Sequence, residues 1–377
     1  MLFKNANLFV NGSFRCGAFR VENGRFSELL DCTPDEAGVD LKGSFVIPGL
    51  VDVHNHGNSG ADFSDGDYEG LKRMAAFYAK CGVTSFAPAS MTLPYDVLEK
   101  AFATAKQLHA EAPEGLSRLM GIQMEGPYFS YKKRGAQNPD YLKDPDFEGF
   151  KKLYEGCGGL VRIVDVAPEL PGAAEFVAKA KELCTVSIAH TDSDYDHARA
   201  AIDAGVTHLT HLYNAMPGIT HRAPGPIIAA MEHDAEVELI TDNVHIHPAM
   251  VRFTFNTFGD DRICLIADSA MSCGLPDGQY SLGGQAITVK GPRATLTEHP
   301  DTIAGSNTCL YDCMKRAVLE MNVPLESAVR AASETPAKSI GVDNDYGSLA
   351  AGRYGNVILA DKELNLKAVI QKGVRIV

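Results

Sequence analysis

The 377-residue sequence predicts an α/β fold: a (β/α)8 barrel of the TIM type with a small β-sandwich domain built from the N- and C-terminal segments. Three observations lead to this prediction. Apolar, strand-like runs alternate with helical patterns through the middle of the chain, and both ends contain short strand patterns broken by turns. Metal-binding side chains stand at the ends of several central runs, which is where such barrels carry their chemistry.

The N-terminal segment is predicted to form β-hairpins. A strand pattern at residues 8–10 is followed by Asn11-Gly12, and a second one at 19–21 is followed by Asn23-Gly24. Asn-Gly is favoured in two-residue hairpin turns, because both positions need positive φ. Pro48-Gly49 then marks the entry to the first barrel strand.

The central part of the chain alternates between strand and helix patterns. Because parallel strands need a long crossover connection, usually a helix, the alternation predicts a parallel sheet, and eight units suggest closure into a barrel. The predicted strands begin at residues 50, 83, 119, 160, 186, 206, 237 and 263, and the predicted helices span 68–80, 96–110, 149–154, 173–184, 195–204, 226–233 and 247–258.

The C-terminal part departs from this alternation. Residues 277–306 are rich in Gly and strand patterns, 307–321 and 325–339 are helical, and strand patterns return at 356–360 and 367–371. We therefore divide the chain into a small β domain, residues 1–47 and 345–377, and a barrel domain, residues 48–344, with a β-rich insertion at about 277–306.

Charge and composition exclude several classes of partner. The formal net charge is -13, whereas a nucleic acid or an anionic membrane surface requires a basic face, so we expect neither as a partner. The N-terminus lacks a signal-peptide pattern, and no apolar run approaches the length of a membrane span. The nine cysteines show no metal-finger spacing. These features predict a soluble protein of the reducing cytoplasm.

Side chains that bind metals stand at the ends of five predicted strands. The first strand runs into His54-Asn55-His56, and because alternate residues of a strand share a face, both imidazoles point the same way. His208 is left out because it does not share a face with the strand-end ligands. The later strands end in Glu125, His190, His211 and Asp268.

This set of residues predicts a metal-dependent hydrolase. Carboxylate and imidazole ligands on separate strands suit Zn²⁺ or Fe²⁺ and leave a position for water. Glu125, His190 and His211 form one candidate site, and His54 and His56 either complete it or build a second, so we expect one or two ions per subunit. The metal would lower the pKa of its water and polarise a carbonyl. Asp268 could take the water's proton and give it to a leaving amine.

Four motifs surround these residues. They are residues 48–57 (PGLVDVHNHG), residues 123–128 (QMEGPY) with 133–137 (KRGAQ) downstream, residues 210–217 (THLYNAMP) with Arg222 eight residues after Asn214, and Ala267-Asp268 followed by residues 303–306 (IAGS). Together they resemble the amidohydrolase superfamily and, within it, the family of N-acetylglucosamine-6-phosphate deacetylases. The resemblance runs essentially from end to end.

The resemblance implies an activity and a ligand set. The expected reaction deacetylates N-acetyl-D-glucosamine 6-phosphate to D-glucosamine 6-phosphate and acetate, in amino-sugar catabolism. Glu125, His190 and His211 would hold the principal metal, and Asp268 would be the catalytic acid and base. Some members of the family replace the His-x-His pair and use one ion. This chain keeps both histidines, so a second ion is possible.

The resemblance also assigns the substrate contacts. Arg222 would reach the phosphate in the neighbouring active site, which implies a homodimer. Gln137 would lie near the acetyl group and polarise its carbonyl through an amide, where some members have a histidine. The other expected contacts with the substrate and the pocket wall are Ala136, Asn214, Ala215, His245, Ile303 and Ala304.

Three alternatives stay open. The first is deacetylation of N-acetylgalactosamine 6-phosphate, because Asn214, Ala215 and Arg222 favour a phosphorylated sugar without separating the epimers. The second is an amidohydrolase acting on an N-acyl amino acid or a cyclic amide. The third, a non-catalytic scaffold on the same barrel, is the least favoured, because every ligand position and Asp268 are present.

Overall fold

The computed structural model describes all of residues 1–377, and its first segment contains the two predicted hairpins. The turn residues Asn11, Gly12, Asn23 and Gly24 have φ of 51°, 77°, 50° and 78°. Positive φ at both central positions is the backbone of a type I′ turn, which explains the Asn-Gly pairs. The strands are β1 (Leu2–Val10), β2 (Ser13–Glu22), β3 (Arg25–Leu30) and β4 (Val39–Pro48).

All eight predicted central strands are present. The strand predicted from residue 206 is reduced to two residues, and the one predicted from residue 119 is split into two short pieces. A two-stranded hairpin follows the first of them. The strands are β5 (Leu50–Asp52), β6 (Gly57–Asn58), β7 (Ala61–Asp62), β8 (Val83–Phe86), β9 (Arg118–Leu119), β10 (Ile122–Met124), β11 (Val161–Val166), β12 (Thr185–Ile188), β13 (His208–Leu209), β14 (Glu236–Ile240) and β15 (Ile263–Ile266).

Apart from the antiparallel hairpin of β6 and β7, these strands pair in parallel and in chain order. One ladder runs β5-β8-β9 and a second runs β10-β11-β12-β13-β14-β15. A parallel bridge between Ala89 and Gln123 joins the ends of the two ladders. The longer ladder forms a curled parallel half-barrel, so the predicted α/β class and parallel sheet are confirmed.

Helices connect the parallel strands. Asp67, Asp146 and Asp194 each accept a hydrogen bond from a backbone N–H of the first turn, which explains where three of the helices begin. The helices are α1 (Tyr68–Lys80), α2 (Tyr95–Glu111), α3 (Phe147–Gly156), α4 (Ala173–Ala180), α5 (Tyr195–Ala204), α6 (Gly225–Glu232) and α7 (Pro248–Phe258), and short 3-10 turns lie at Phe63–Asp65, Tyr131–Lys133 and Pro139–Tyr141.

The predicted β-rich excursion is an antiparallel four-stranded sheet. It consists of β16 (Gly278–Leu282), β17 (Gln285–Lys290), β18 (Arg293–Leu296) and β19 (Ile303–Ser306), and is followed by α8 (Leu310–Leu319), α9 (Leu325–Ala332) and α10 (Glu334–Ser339). The single helix predicted over 325–339 is wrong. It breaks at Ser333, whose hydroxyl donates to the Val329 carbonyl at 2.6 Å, and Pro336 cannot donate to the preceding turn.

No helix of the chain is both long enough and apolar enough to cross a bilayer.

Both ends of the chain meet in one sheet, hereafter the terminal sheet. Its last strands are β20 (Val357–Ala360), β21 (Leu366–Gln371) and β22 (Val374–Arg375), and its order is β22-β21-β20-β4-β1-β2-β3. β4 therefore lies between the parallel β1 and the antiparallel β20, with Pro48 opposite Val357. Because β4 leads through Gly49 into β5, the terminal sheet fixes where the first central strand starts.

Candidate metal centre and catalytic cavity

The ends of the central strands converge on the carboxylate of Glu125. The residue follows β10 and is 2% exposed, so its charge is withdrawn from solvent. The Nε2 atoms of the four predicted histidine ligands surround it. The distances from Glu125 Oε1 are 3.1 Å to His211, 3.2 Å to His190 and 3.7 Å to His54, and Oε2 lies 3.4 Å from His56.

The ligands form two groups that share Glu125. The first, which we call the His54 triad, is His54, His56 and Glu125, and the second, the His190 triad, is Glu125, His190 and His211. Within each triad one ligand atom per residue lies within 4.8 Å of the others. The Nε2 atoms of His190 and His211 are 3.1 Å apart. Ligand atoms around tetrahedral zinc are separated by roughly 3.3 Å, so these spacings match a metal site.

Three of the four imidazoles are turned toward the centre by a hydrogen bond on the far side of the ring, whereas Nδ1 of His211 is buried without a hydrogen-bond partner. Nδ1 of His54 bonds Glu238 at 2.8 Å, and Nδ1 of His56 and His190 bond the carbonyls of Ala89 and Lys133 at 3.1 and 2.9 Å. Metal-binding histidines usually donate their second ring nitrogen in this way. These bonds leave the Nε2 atoms free to bind an ion.

The donor set fits a divalent cation. Nε2 of His54 and Oδ1 of Asp268 are buried and have no hydrogen-bond partner in the protein. Asp268, at the end of β15, lies 3.3 Å from His56 Nε2 and 3.8 Å from His54 Nε2. Buried polar atoms without partners are costly unless they bind a metal or are otherwise satisfied. A cation at the His54 triad would satisfy both atoms.

Three of the residues at the centre have unusual backbone conformations. His190, His211 and Asp268 have φ of 43°, 30° and 47°, in or near the left-handed region. Such conformations are uncommon outside glycine and cluster at functional sites. Here each one turns the chain sharply at the point where its strand ends, so that the side chain points across the carboxyl ends of the sheet.

Burial and the neighbouring polar and charged groups shift the pKa values of the central side chains in opposite directions. Burial raises the pKa of Glu125, but hydrogen bonds from His190 and His211 outweigh it and hold the pKa well below its ordinary value. Burial likewise raises the pKa of Asp268, and contact with His56 and His54 lowers it overall. Both carboxyl groups are therefore ionised. Burial lowers the pKa of His190, which favours the neutral form that binds metals.

A cavity of about 260 Å³ opens beside the metal centre. Its wall contains Glu125, His190, His211, His56 and Asp268 together with most of the predicted substrate contacts. Asn214 donates its amide to the carbonyls of His211 and Leu212, both at 3.2 Å, which fixes the loop after β13. The predicted contacts that line the cavity are Ala136, Gln137, Asn214, Ala215, His245 and Ile303.

His245 lines this cavity and pairs with an acid that lies outside the metal centre. Its Nδ1 lies 2.8 Å from Asp242 Oδ2, and the same carboxylate accepts the His245 backbone N–H at 2.9 Å. Burial lowers the pKa of His245, but the hydrogen bond and charge of Asp242 raise it above its ordinary value. The imidazole is therefore held in position and favoured in its protonated form.

Three predicted residues lie elsewhere or face differently. Ala304 is fully buried in the apolar cluster below the insertion and does not line the cavity, because residues alternate along β19 and Ile303 takes the cavity side. Arg222 is exposed and lies outside the cavity of its own chain. Gln137 donates its amide to Glu125 Oε2 at 2.7 Å and accepts from Thr92 N at 2.7 Å, so its amide faces a metal ligand.

The sequence predictions missed several residues of the site. The most important is Glu238, on β14, which contacts His54 and the backbone of His211. An acidic residue in the middle of an apolar strand is a signal for it, because ionised groups are rarely buried without partners. Met91, Leu282, Asp301 and Thr302 also line the cavity, and they lie in loops or in the insertion, where no periodic pattern marks them.

Comparison with known proteins identifies relatives of the whole chain. The amidohydrolase family model matches residues 45–376. An N-acetylglucosamine-6-phosphate deacetylase of Bacillus subtilis (strain 168) is 34% identical over 334 residues, covering 88% of this chain and 84% of the relative. An N-acetylgalactosamine-6-phosphate deacetylase of Escherichia coli O157:H7 is 30% identical over 330 residues, covering 87% and 86%.

A solved structure matches the whole fold. It is an Asp-to-Ala variant of the N-acetyl-D-glucosamine-6-phosphate deacetylase from Mycobacterium smegmatis, in complex with N-acetyl-D-glucosamine-6-phosphate. The TM-score is 0.94 at 32% sequence identity, and the alignment covers 100% of this chain and 99% of that one.

Proposed function

Because the chain belongs to the amidohydrolase family, we propose that it is a metal-dependent enzyme that converts N-acetyl-D-glucosamine 6-phosphate to D-glucosamine 6-phosphate and acetate. The observation that carries the proposal is the convergence of His56, His190, His211, Glu125 and Asp268 on one small cavity, with His54 completing the ligand set. The named relatives supply the substrate, because metal-dependent amide hydrolysis alone fits many amides. The reaction would serve amino-sugar breakdown.

We assign a divalent ion, Zn²⁺ or Fe²⁺, to each triad. Imidazole and carboxylate donors suit both metals, and Glu125 is a member of both triads. When bound, the metal supplies Lewis acidity that activates water and polarises the acetamide carbonyl. Gln137 would have to release Glu125 to reach that carbonyl, so we assign it to orienting Glu125 instead.

Asp268 is the proposed acid and base. Its pKa is lowered in the folded protein, so it begins the cycle ionised and can accept a proton. It takes the proton from the attacking water at a carboxylate oxygen while the water oxygen bonds to the carbonyl carbon. It then gives that proton to the amine nitrogen as the carbon–nitrogen bond breaks. Acetate and the free amine of the sugar phosphate leave.

The substrate phosphate requires positive partners in an acidic protein. His245 is one, because Asp242 favours its protonated form. Arg222 is the second by family resemblance, and its exposed position outside its own cavity supports a contact with the cavity of a neighbouring subunit. We therefore propose a homodimer in which each Arg222 completes the other active site. Asn214 and Ala215 would contact the sugar.

The proposed architecture is a closed barrel. Asp268 N donates to the His54 carbonyl at 2.9 Å, which brings the end of β15 beside the end of β5. With the Ala89–Gln123 bridge, this contact supports a closed (β/α)8 barrel over residues 48–344. Residues 1–47 and 345–377 would then form a separate β domain with a sandwich-like second layer. The cytoplasmic location remains a prediction.

Acetate release tests the function. We expect the metal-loaded enzyme to hydrolyse N-acetylglucosamine 6-phosphate, and unphosphorylated N-acetylglucosamine to lose at least a hundredfold in kcat/KM because its phosphate contacts are absent. N-acetylgalactosamine 6-phosphate measures the preference between epimers. Failure to release acetate from any of the three by the metal-loaded protein would contradict the proposal.

A matched variant separates chemistry from binding in the same assay. Asp268→Asn keeps the size and one carbonyl oxygen but cannot accept the water's proton. We expect its metal content to equal that of the wild type and kcat to fall by about 10²–10⁴. Retained turnover would remove Asp268 from the proposed mechanism, even if the substrate assignment held.

A further inference from the structure

One buried carboxylate touches both triads. Glu238 lies on β14 with a side chain that is 0% exposed, and a single oxygen, Oε2, accepts two hydrogen bonds. The first comes from His54 Nδ1 at 2.8 Å, and the second from the backbone N–H of His211 at 3.1 Å. His54 belongs to one triad and His211 to the other. Glu238 therefore connects the two groups without being a ligand of either.

The main chain of Glu238 strengthens this connection. Its carbonyl accepts the backbone N–H of Leu212 at 2.9 Å. Two successive N–H groups of the turn after β13 are thus held by one residue. This is the turn in which His211 takes a φ of 30°. A left-handed turn of this kind persists only where the surroundings hold it in place, and Glu238 supplies two of the bonds that do so.

Stability alone does not explain an acid at this position. Its ion-pair partners are His54 at 2.8 Å and His208 at 3.9 Å, and no Lys or Arg reaches it. Its second oxygen, Oε1, is buried and has no hydrogen-bond partner. Moving a carboxylate out of water is energetically costly, and a carboxylate with one unpaired oxygen does not recover that cost. An apolar side chain at this position would therefore destabilise the fold less. The acid must act on something that it touches.

We propose that Glu238 is a positioning residue that couples the two metal positions. Through Oε2 it orients the ring of His54 and makes Nε2 a stronger electron donor, as carboxylates behind metal-binding histidines do. Through Oε2 and its carbonyl it holds the turn that aims His211. The inference rests on the metal dependence of the proposed function. It adds that the binding of two ions depends on Glu238.

Glu238→Gln tests the charge separately from the shape. The amide oxygen can still accept both hydrogen bonds, but the negative charge behind His54 is lost. We expect the affinity of the His54 triad for Zn²⁺ to fall 10–100-fold, while the His190 triad keeps its ion. The measurement is metal content per subunit after dialysis against buffered Zn²⁺ concentrations. Raising free Zn²⁺ should restore both the second ion and kcat, which it would not do for a variant that is merely unstable.

Glu238→Ala tests whether the Glu238 side chain holds the turn after β13 that carries His211. It removes the acceptor for both hydrogen bonds, so the His190 triad should lose affinity as well. The matched control is Glu236→Gln, which neutralises an acid on the same strand and the same face, two residues earlier. Glu236 belongs to neither triad but to a separate group of possible ligands with His208 and Cys264, so the comparison is restricted to the ions of the two triads. If a Glu238 variant does not fold, Glu238→Asp keeps the charge and shortens the side chain, and the same loss at the His54 triad is expected.

The outcomes distinguish this inference from the proposed function. If the wild type binds two ions and Glu238→Gln binds both as tightly as Glu236→Gln, the inference is wrong and the function stands. A wild type that binds no ion contradicts both. Equal losses of Zn²⁺ affinity at the two triads in Glu238→Gln would also contradict the inference, which has the charge act on the His54 ring and the hydrogen bonds act on the turn that carries His211.

Discussion

At the scale of single residues, the side chains behind the ligands determine what the ligands can do. Gln137 bonds Glu125, Glu238 bonds His54 and the backbone of His211, and neither belongs to a ligand triad. The ligands could be predicted because a His, Glu or Asp at the end of an apolar run has few structural reasons to be there. Their outer partners could not, because a buried glutamine or glutamate reveals its partner only when strands distant in sequence come together.

The protonation of His245 predicts a pH dependence of substrate binding. Its folded-state pKa is raised above the ordinary value, so the cation that favours a phosphate is fully present at low pH and is lost as the pH rises through the folded pKa. We expect KM for the phosphorylated substrate to increase over that upper range. Measuring KM from about pH 7 to about pH 9, above the phosphate's own second pKa, tests this.

His245→Gln is the control for this titration. Its KM should be higher at the low-pH end, and the increase at high pH should disappear, because the amide does not titrate. If KM rises with pH to the same extent in both proteins, a group other than His245 is responsible.

At the scale of elements, the site depends on short strands and on the turns that follow them. The central strands supply only two to six residues each, and the ligands stand in the turns beyond them. The strands could be predicted from their apolar runs. The positive φ values of His190, His211 and Asp268 could not, since they arise where three separate turns must point their side chains at one metal centre. The break at Ser333 was missed because helical periodicity continues on both sides of it.

The hairpin of β6 and β7 predicts a stability effect in the turn after His56. A Cβ on Gly57 would collide with the Ala61 carbonyl oxygen and come within 3.0 Å of Met271 N, and both are backbone atoms that cannot rotate away. Gly57→Ala is therefore expected to lower the free energy of unfolding by about 1–3 kcal/mol, measured by urea denaturation.

A second glycine provides the comparison. Gly156, the last residue of α3, has nothing within 4 Å of an added Cβ. Gly156→Ala should leave the unfolding free energy unchanged or raise it by up to about 1 kcal/mol, because alanine favours helix. Equal effects of the two substitutions would contradict the steric argument.

At the scale of the whole molecule, the metal centre connects strands from one end of the central alternation to the other. His54 follows β5 and Asp268 follows β15, and Glu125, between them in sequence, contacts both His54 and His56. The sequence predicted this gathering because parallel strands place their carboxyl ends on one side. It predicted Ile303 of the insertion in the cavity wall but not Leu282, Asp301 and Thr302, whose positions there depend on tertiary packing.

Metal removal should therefore loosen the molecule as well as inactivate it. An ion that binds only the folded chain stabilises it by about 2.7 kcal/mol at a free concentration 100 times its Kd. We expect dialysis against a chelator to lower the Tm and added Zn²⁺ to restore it, as measured by differential scanning calorimetry. Glu125→Gln, which alters the shared ligand, should show little of this response. A Tm of the wild type that is indifferent to chelator would argue against metal binding in either triad.

During synthesis of the chain, β4 of the terminal sheet must wait for its partner strand β20. β4 ends at Pro48, and the residue paired with it is Val357, so the ribosome adds 309 residues (357 − 48) before that partner exists. At roughly 5–20 residues per second this takes about 15 to 60 s. Throughout that interval the edge of β4 exposes unpaired N–H and C=O groups, which are a template for pairing with other nascent chains. Strands made after the central region complete a sheet that was begun before it, so a newly made chain needs protection of that edge until β20 has been synthesised.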